Sequence, residues 1–182
     1  MQQDYEYPYY EKRGFQAVRI SYQNRRVGMY IFLPAKNSSL PDFVRAATPK
    51  LWDRWLRGFR DRPGTVAFPR FKFEYSVQLE SILANLGMAV AFQAGTARFD
   101  HIASPPPSLW LGSVVHRALV EVNEEGTEAA AATAVHAPRA AALFRRRPPP
   151  PFTMIVDRPF FFVICDNLSQ TILFMGAVNN PA

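Results

Sequence analysis

A single cysteine, Cys165, excludes an internal disulfide, so folding does not depend on an oxidising compartment. Its place at the end of an apolar run marks it as a buried structural thiol. Histidine is nearly as scarce, at three residues. His101, His116 and His136 could in principle supply a Cys–His pair with Cys165, but no motif places them together, and an enzyme is not expected. No group of residues has ligand spacing, so neither a metal nor a cofactor is expected. Long apolar runs are also missing: none approaches the length of a transmembrane helix, and no membrane partner is expected. Met1-Gln2-Gln3-Asp4 lacks the charged and apolar regions of a signal peptide. Acidic side chains are outnumbered, giving a net charge of +6. The basic residues are scattered and come without a zinc, RNP or helix-turn-helix pattern, so they read as a solvated surface with no nucleic-acid partner.

What is present is an apolar chain, 48% hydrophobic, long enough for one domain with a sizeable core. Met1 to Arg13 is polar and tyrosine-rich and reads as a frayed lead-in or partial strand. Phe15 to Tyr22 and Val27 to Leu33, the latter closed by Pro34, form a hairpin across the turn Gln23 to Arg26. Thr48-Pro49 starts a helix with Leu51, Trp52, Trp55, Leu56 and Phe59 on one face, stopped by Gly58 and Pro63-Gly64. Thr65 to Tyr75 alternates as a half-buried strand, with Pro69 implying an edge or a bulge. Ser76 to Leu86 reads as a short helix ended by Gly87. Ser104 to Ser108 is a loop, and Ser113 to Val122 a long strand. Phe152 to Val156 is a short strand. The last two strands, around Asp166 to Gln170, form a buried hairpin.

Between these strands lies Glu124-Glu125-Gly126-Thr127-Glu128-Ala129-Ala130-Ala131-Ala132-Thr133-Ala134-Val135, followed by Pro- and Arg-rich chain to Pro151. Two local readings stay open. The alanine run suits a helix with Glu at its start. At period two, Thr127, Ala129, Ala131, Thr133 and Val135 make one small apolar face that could slide between existing strands.

Asp157-Arg158-Pro159-Phe160-Phe161-Phe162-Val163-Ile164, followed by Ile172-Leu173-Phe174-Met175-Gly176-Ala177-Val178-Asn179-Asn180-Pro181, resembles the closing signature of the serpins, serine protease inhibitors. Glu124 to Thr133 stands where that family has the hinge of its reactive-centre loop. Val27 to Pro34 and Thr65 to Phe92 also look like the corresponding serpin segments. The resemblance covers nearly all of the chain from about Phe15 onward.

The resemblance implies an α+β serpin fold, its C-terminal half: sheet B and sheet C strands, two short helices and one sheet A strand leading into the reactive-centre loop. Residues 1–182 would form a single incomplete serpin domain, with 124–151 as hinge and exposed loop and the family's N-terminal part absent. The implied function is suicide inhibition of a serine endopeptidase, by loop cleavage and insertion as a sheet strand. The alternative is a non-inhibitory interaction protein or remnant.

Counting the family's hinge length from Glu124 puts the scissile bond at Ala140-Ala141, which suits an elastase-like target; Arg139 would instead suit a trypsin-like one. His116 matches a strand residue that helps control sheet A opening. Extracellular action is implied by the resemblance, with the cytoplasm as the alternative. Missing strands and helices predict instability, self-association or need of a complementary N-terminal half.

Overall fold

The computed structural model describes residues 2–22, 25–102, 109–123 and 149–181. Seven strands share one sheet in the order β7-β4-β1-β2-β3-β8-β9. They are β1 (Gln2–Lys12), β2 (Phe15–Ser21), β3 (Val27–Pro34), β4 (Arg60–Ala67), β7 (Phe152–Ile155), β8 (Phe160–Asp166) and β9 (Ile172–Val178). β5 (Phe71–Gln78) and β6 (Val115–Val122) form a separate two-stranded sheet. Strands expected in sheets B and C are thus hydrogen-bonded into one continuous sheet. The strand expected in sheet A, β6, pairs with β5. The chain divides into two compact units, 1–71 with 122–182, and 72–121.

In the first unit the hairpin β2–β3 forms where expected. β3 and β8 lie side by side and antiparallel, Met29 opposite Ile164 and Phe32 opposite Phe161. Both are central strands covered on two faces, which is why they read as continuous apolar runs and not as alternating ones. One face carries Phe15, Ala17, Tyr30, Phe32, Phe161 and Val163, with buried Cys165 beside them. Burial pushes the Cys165 thiol up, so it stays protonated and a poor nucleophile, as its apolar surroundings imply.

That face is roofed by α1 (Leu40–Ala46) and α2 (Pro49–Leu56) through Leu40, Phe43, Leu51, Trp52, Trp55 and Leu56. The Thr48 hydroxyl accepts from the Leu51 amide at 3.4 Å and Pro49 opens α2, the cap read from sequence. α2 ends at Leu56, with Arg57 as its C-cap and Gly58 directly after it, the stop read from sequence, so Pro63-Gly64 is not needed to end it. Those last two residues belong to β4, recruited by pairing with Glu6 and Tyr5 of β1. α1 is an additional helix. Its signal was a local cap: the Ser39 hydroxyl accepts from the Asp42 amide at 3.2 Å, with Pro in the first turn.

Four further expectations need correction. The tyrosine-rich start is no frayed lead-in but a full strand of 11 residues. It pairs with β4 through Gln2 to Tyr9 and with β2 through Tyr9 to Lys12, and those two neighbours supply the order that its sequence lacks. The single strand expected over Thr65 to Tyr75 is two, β4 and β5, interrupted at Phe68-Pro69-Arg70 because proline has no amide to donate. β5 continues to Gln78, so the helix α3 begins only at Glu80 and ends at Leu83, passing into a π-turn in which Gly87 adopts φ +99°. The last hairpin is buried along β8 but in β9 only at Val178. In β9, Ile172, Leu173, Phe174 and Met175 are exposed, because β9 is the sheet's outer edge.

Two loops are stitched together at this end. The Asn167 side chain donates to the Arg25 carbonyl at 3.0 Å and accepts from the Tyr30 hydroxyl at 2.8 Å. Asp166 accepts from the amides of Leu168 (2.9 Å) and Ser169 (3.2 Å) and from Arg26 Nε (2.7 Å). These bonds, the Ser169 amide first, hold its carboxyl below the usual value of 3.8. Since the folded value is the lower one, this contribution is complete above the ordinary carboxylate range and disappears as pH falls through the depressed value. Asp166→Asn is therefore expected to lower the melting temperature at neutral pH and to flatten the acid limb of stability below about pH 4. Thermal melts between neutral and strongly acid pH check this, and an unchanged acid limb would count against the assignment.

Candidate functional site

The expected hinge, Glu124, Glu125, Gly126, Thr127, Glu128, Ala129, Ala130, Ala131, Ala132 and Thr133, lies outside the described residues. So do Arg139, Ala140 and Ala141. What the structure does give is the strand on each side of that segment.

Upstream, β6 runs to Val122 and is followed by Asn123, the last described residue before the hinge. It begins at Val115, two residues later than Ser113. Val120 and Val122 are buried, whereas Val115, His116, Arg117, Leu119 and Glu121 are exposed. Lys72 Nζ on β5 approaches Glu121 at 2.9 Å, and that bond raises the lysine pKa. Among the described residues β6 has a strand on one edge only. The imidazole of His116 is exposed and has no hydrogen-bond partner among the described residues. Cys165 is deeply buried in the first unit, and His101 and His116 are exposed in the second, so none of these shows the environment of an activated nucleophile pair.

Downstream, the chain re-enters at Pro149-Pro150-Pro151 and forms β7, which lies parallel to β4 with Gly64 opposite Phe152 and Ala67 opposite Ile155. Four residues of parallel ladder at a sheet edge would hold weakly alone. Side chains reinforce it. Phe152 stacks on Tyr9 with ring centres 3.8 Å apart and planes 17° from parallel. The Arg62 guanidinium lies over both rings, 5.3 Å from Tyr9 and 6.0 Å from Phe152. Arg62 Nε donates to the Pro150 carbonyl at 2.8 Å, and its Nη1 stands 3.6 Å from Glu11.

Gln16 Nε2 donates both to the Tyr9 hydroxyl at 2.9 Å and to the Thr153 carbonyl at 3.2 Å. Burial, with the Glu11 carboxylate adding to it, pushes the Tyr9 phenol up to about 12, so it stays neutral. Beyond β7, the Val156 amide donates to Ala67 at 2.8 Å, and Arg158 Nε to the Pro34 carbonyl at 2.9 Å, fixing the turn into β8.

Sequence reasoning missed this anchor. Its signal was Tyr7 and Tyr9 at period two, interleaved with Glu6 and Pro8, as a strand with one covered face requires. Arg62 and Gln16 carry no signal of their own, because their roles come from pairings between distant strands.

No helix among the described residues is long and apolar enough to cross a membrane, which leaves β-barrels unaddressed. The family model described as Serpin (serine protease inhibitor) matches residues 1–181. Serpin B10 of Rattus norvegicus is 35% identical over 168 residues, which are 90% of this chain and 40% of that protein. A serpin-like protein of Thermococcus kodakarensis is 36% identical over 181 residues, 100% of this chain and 41% of the relative.

Among solved structures, the thermophilic serpin tengpin in its native state matches with a TM-score of 0.76 at 25% identity, over 99% of this chain and 45% of its own. Native protease nexin-1, solved with heparin, gives 0.77 at 26% identity, over 99% and 46%. The chain spans about two fifths of the length of these curated relatives. The closing strands β8 and β9 and the match along the whole chain give one answer: this chain belongs to the serpin family of serine protease inhibitors.

Proposed function

We propose that the chain acts as the bait-bearing part of a suicide inhibitor of a serine endopeptidase, within one serpin domain to which residues 1–182 contribute the C-terminal portion. The protease serine Oγ attacks the carbonyl carbon of Ala140. The Ala140–Ala141 peptide bond breaks, an ester to the serine forms, and the Ala141 nitrogen leaves with the proton. An elastase-like enzyme with a shallow pocket fits Ala140, and a trypsin-like enzyme would instead cut after Arg139. The hinge 124–133 then folds back beside β6, antiparallel as a segment joined by a turn must be, and drags the acylated protease with it. Its oxyanion hole is distorted before water can deacylate the ester. Opening of the receiving sheet is controlled in part by His116. The extracellular space is the compartment that goes with this reading.

The observation that carries the proposal is the state of β6: it leads directly to the hinge and has a strand partner on one edge only among the described residues. An inserted strand would bond to that open edge. The small side chains from Thr127 to Thr133 suit rapid entry.

A second reading, a non-inhibitory protein that keeps the serpin core for interaction, draws on the exposed Ile172 to Met175 of β9, a surface suited to self-association or to a complementary N-terminal half. Incubation with elastase and with trypsin, followed by denaturing gels and mass spectrometry, separates the readings. The inhibitor reading predicts an ester-linked band whose cut maps to Ala140-Ala141. Thr127→Arg should remove the linked band and leave cleavage intact. Cleavage alone by both enzymes, in wild type as in variant, supports the second reading.

A further inference from the structure

Arg62 is the residue that joins three separate pieces of chain at the downstream end of the bait. From β4 its guanidinium covers the Tyr9 ring of β1 and the Phe152 ring of β7, approaches Glu11 at 3.6 Å, and holds the Pro150 carbonyl at 2.8 Å. Its side chain is 24% exposed, so these contacts are partly desolvated and stronger than those of a free surface arginine.

The group it holds is unusual. Pro149, Pro150 and Pro151 have no amide hydrogens, so none of them can donate to the β4 ladder, and pairing starts only at Phe152. A carbonyl is what this stretch can offer, and Arg62 takes it. Proline also fixes φ, so a tether at Pro150 constrains its neighbours more than it would in ordinary chain.

We infer that Arg62 is a positioning residue for the bait: it fixes the proline stretch against Tyr9 and Phe152 and thereby sets where the downstream arm of the reactive segment leaves the sheet. The charge, the planar shape and the Nε donor are used together. Lysine could keep the charge near Glu11, but its single ammonium cannot cover two rings and hold the Pro150 carbonyl at once. This role rests on the inhibitor reading for its purpose, but its geometry does not.

The test is hydrogen–deuterium exchange on the 182-residue chain, read at the amides of Phe152, Met154 and Val156, which face β4, with β3 and β8 as internal reference. Arg62→Ala is expected to speed exchange at these three amides roughly tenfold or more, the equivalent of losing about 1.4 kcal/mol of local protection, and to leave Tyr30 to Phe32 unchanged. Arg62→Lys should fall between the two. Chymotryptic nicking at Phe152 should rise in the same order.

Unchanged exchange at these three amides in both variants would overturn the assignment. So would an equal rise in every strand, which would make Arg62 a general stabiliser. Should Arg62→Ala fail to fold, Arg62→Lys alone decides, by the presence or absence of a rise confined to β7. Because no protease complex enters this readout, a chain that traps no protease but shows the local rise would refute the proposed function and leave the role of Arg62 standing.

Discussion

Phe32→Ala is expected to destabilise the sheet unit by about 3–5 kcal/mol, the range for truncating a fully buried aromatic. Phe32 is 0% exposed, and its ring lies 5.3 Å from Trp55, 5.8 Å from Trp52 and 5.9 Å from Phe43. Phe15 and Phe161 stand at 6.0 and 6.5 Å. It therefore sits where β2, β3, β8, α1 and α2 meet.

A loss of this size is a large part of the roughly 5–15 kcal/mol that holds a typical domain together. The variant should lose its cooperative transition or show it only at much lower urea. Trp52 and Trp55, both against the cavity, give the fluorescence readout. Ile31→Val, on the opposite face and also 0% exposed, should cost only about 0.5–1.5 kcal/mol. If Phe32→Ala shifted the urea midpoint no more than Ile31→Val does, the aromatic cluster could not be the core described here.

The second large effect concerns Gly64. A Cβ built there would run into the Phe152 ring that stacks on Tyr9. Its opponents are ring atoms held between Tyr9, Arg62 and the sheet, so they cannot swing away as the end of a flexible chain would. Gly64→Val should push Phe152 out of its slot. The loss is of the order of the 1.5–3 kcal/mol that burying such a side chain contributes, together with the β4–β7 ladder it closes.

Detachment of β7 is read as rapid chymotryptic nicking at Phe152, with the Phe32 cluster still intact by near-UV circular dichroism. The cause is checked with Phe152→Ala. If the two side chains collide, the double variant should be no less stable than Phe152→Ala alone, since the second change removes what the first one strikes. Strictly additive losses would mean that Gly64 matters for some reason other than this ring.

The sequence was most legible where the chemistry is local or repetitive. Thr48-Pro49 announces a helix start because a hydroxyl cap and a fixed φ act within one turn, and the structure has that cap. Strand β3 and the run Phe160 to Ile164 could be read because strands buried on both faces must be apolar throughout. Val27 to Pro34 and Asp157 to Pro181 are the stretches that pointed to the family. Cys165 was placed correctly as a buried thiol from its apolar company alone.

What failed to show was set by partners far away in the chain. Gln2 to Lys12 has the look of a polar lead-in, and becomes a strand because β4 satisfies its backbone on one side and β2 on the other. Ile172 to Met175 looks like core, yet nothing among the described residues covers it, and apolar composition alone cannot supply a neighbour. Glu124 to Val135 could be read as either helix or strand, since alanine permits both, and it lies outside the described residues. Cap, turn and buried run are thus written in adjacent residues and are determined by the sequence alone. The clamp of Arg62 on Tyr9, Phe152 and Pro150 joins residues up to 143 positions apart and exists only once the sheet has chosen its strand order.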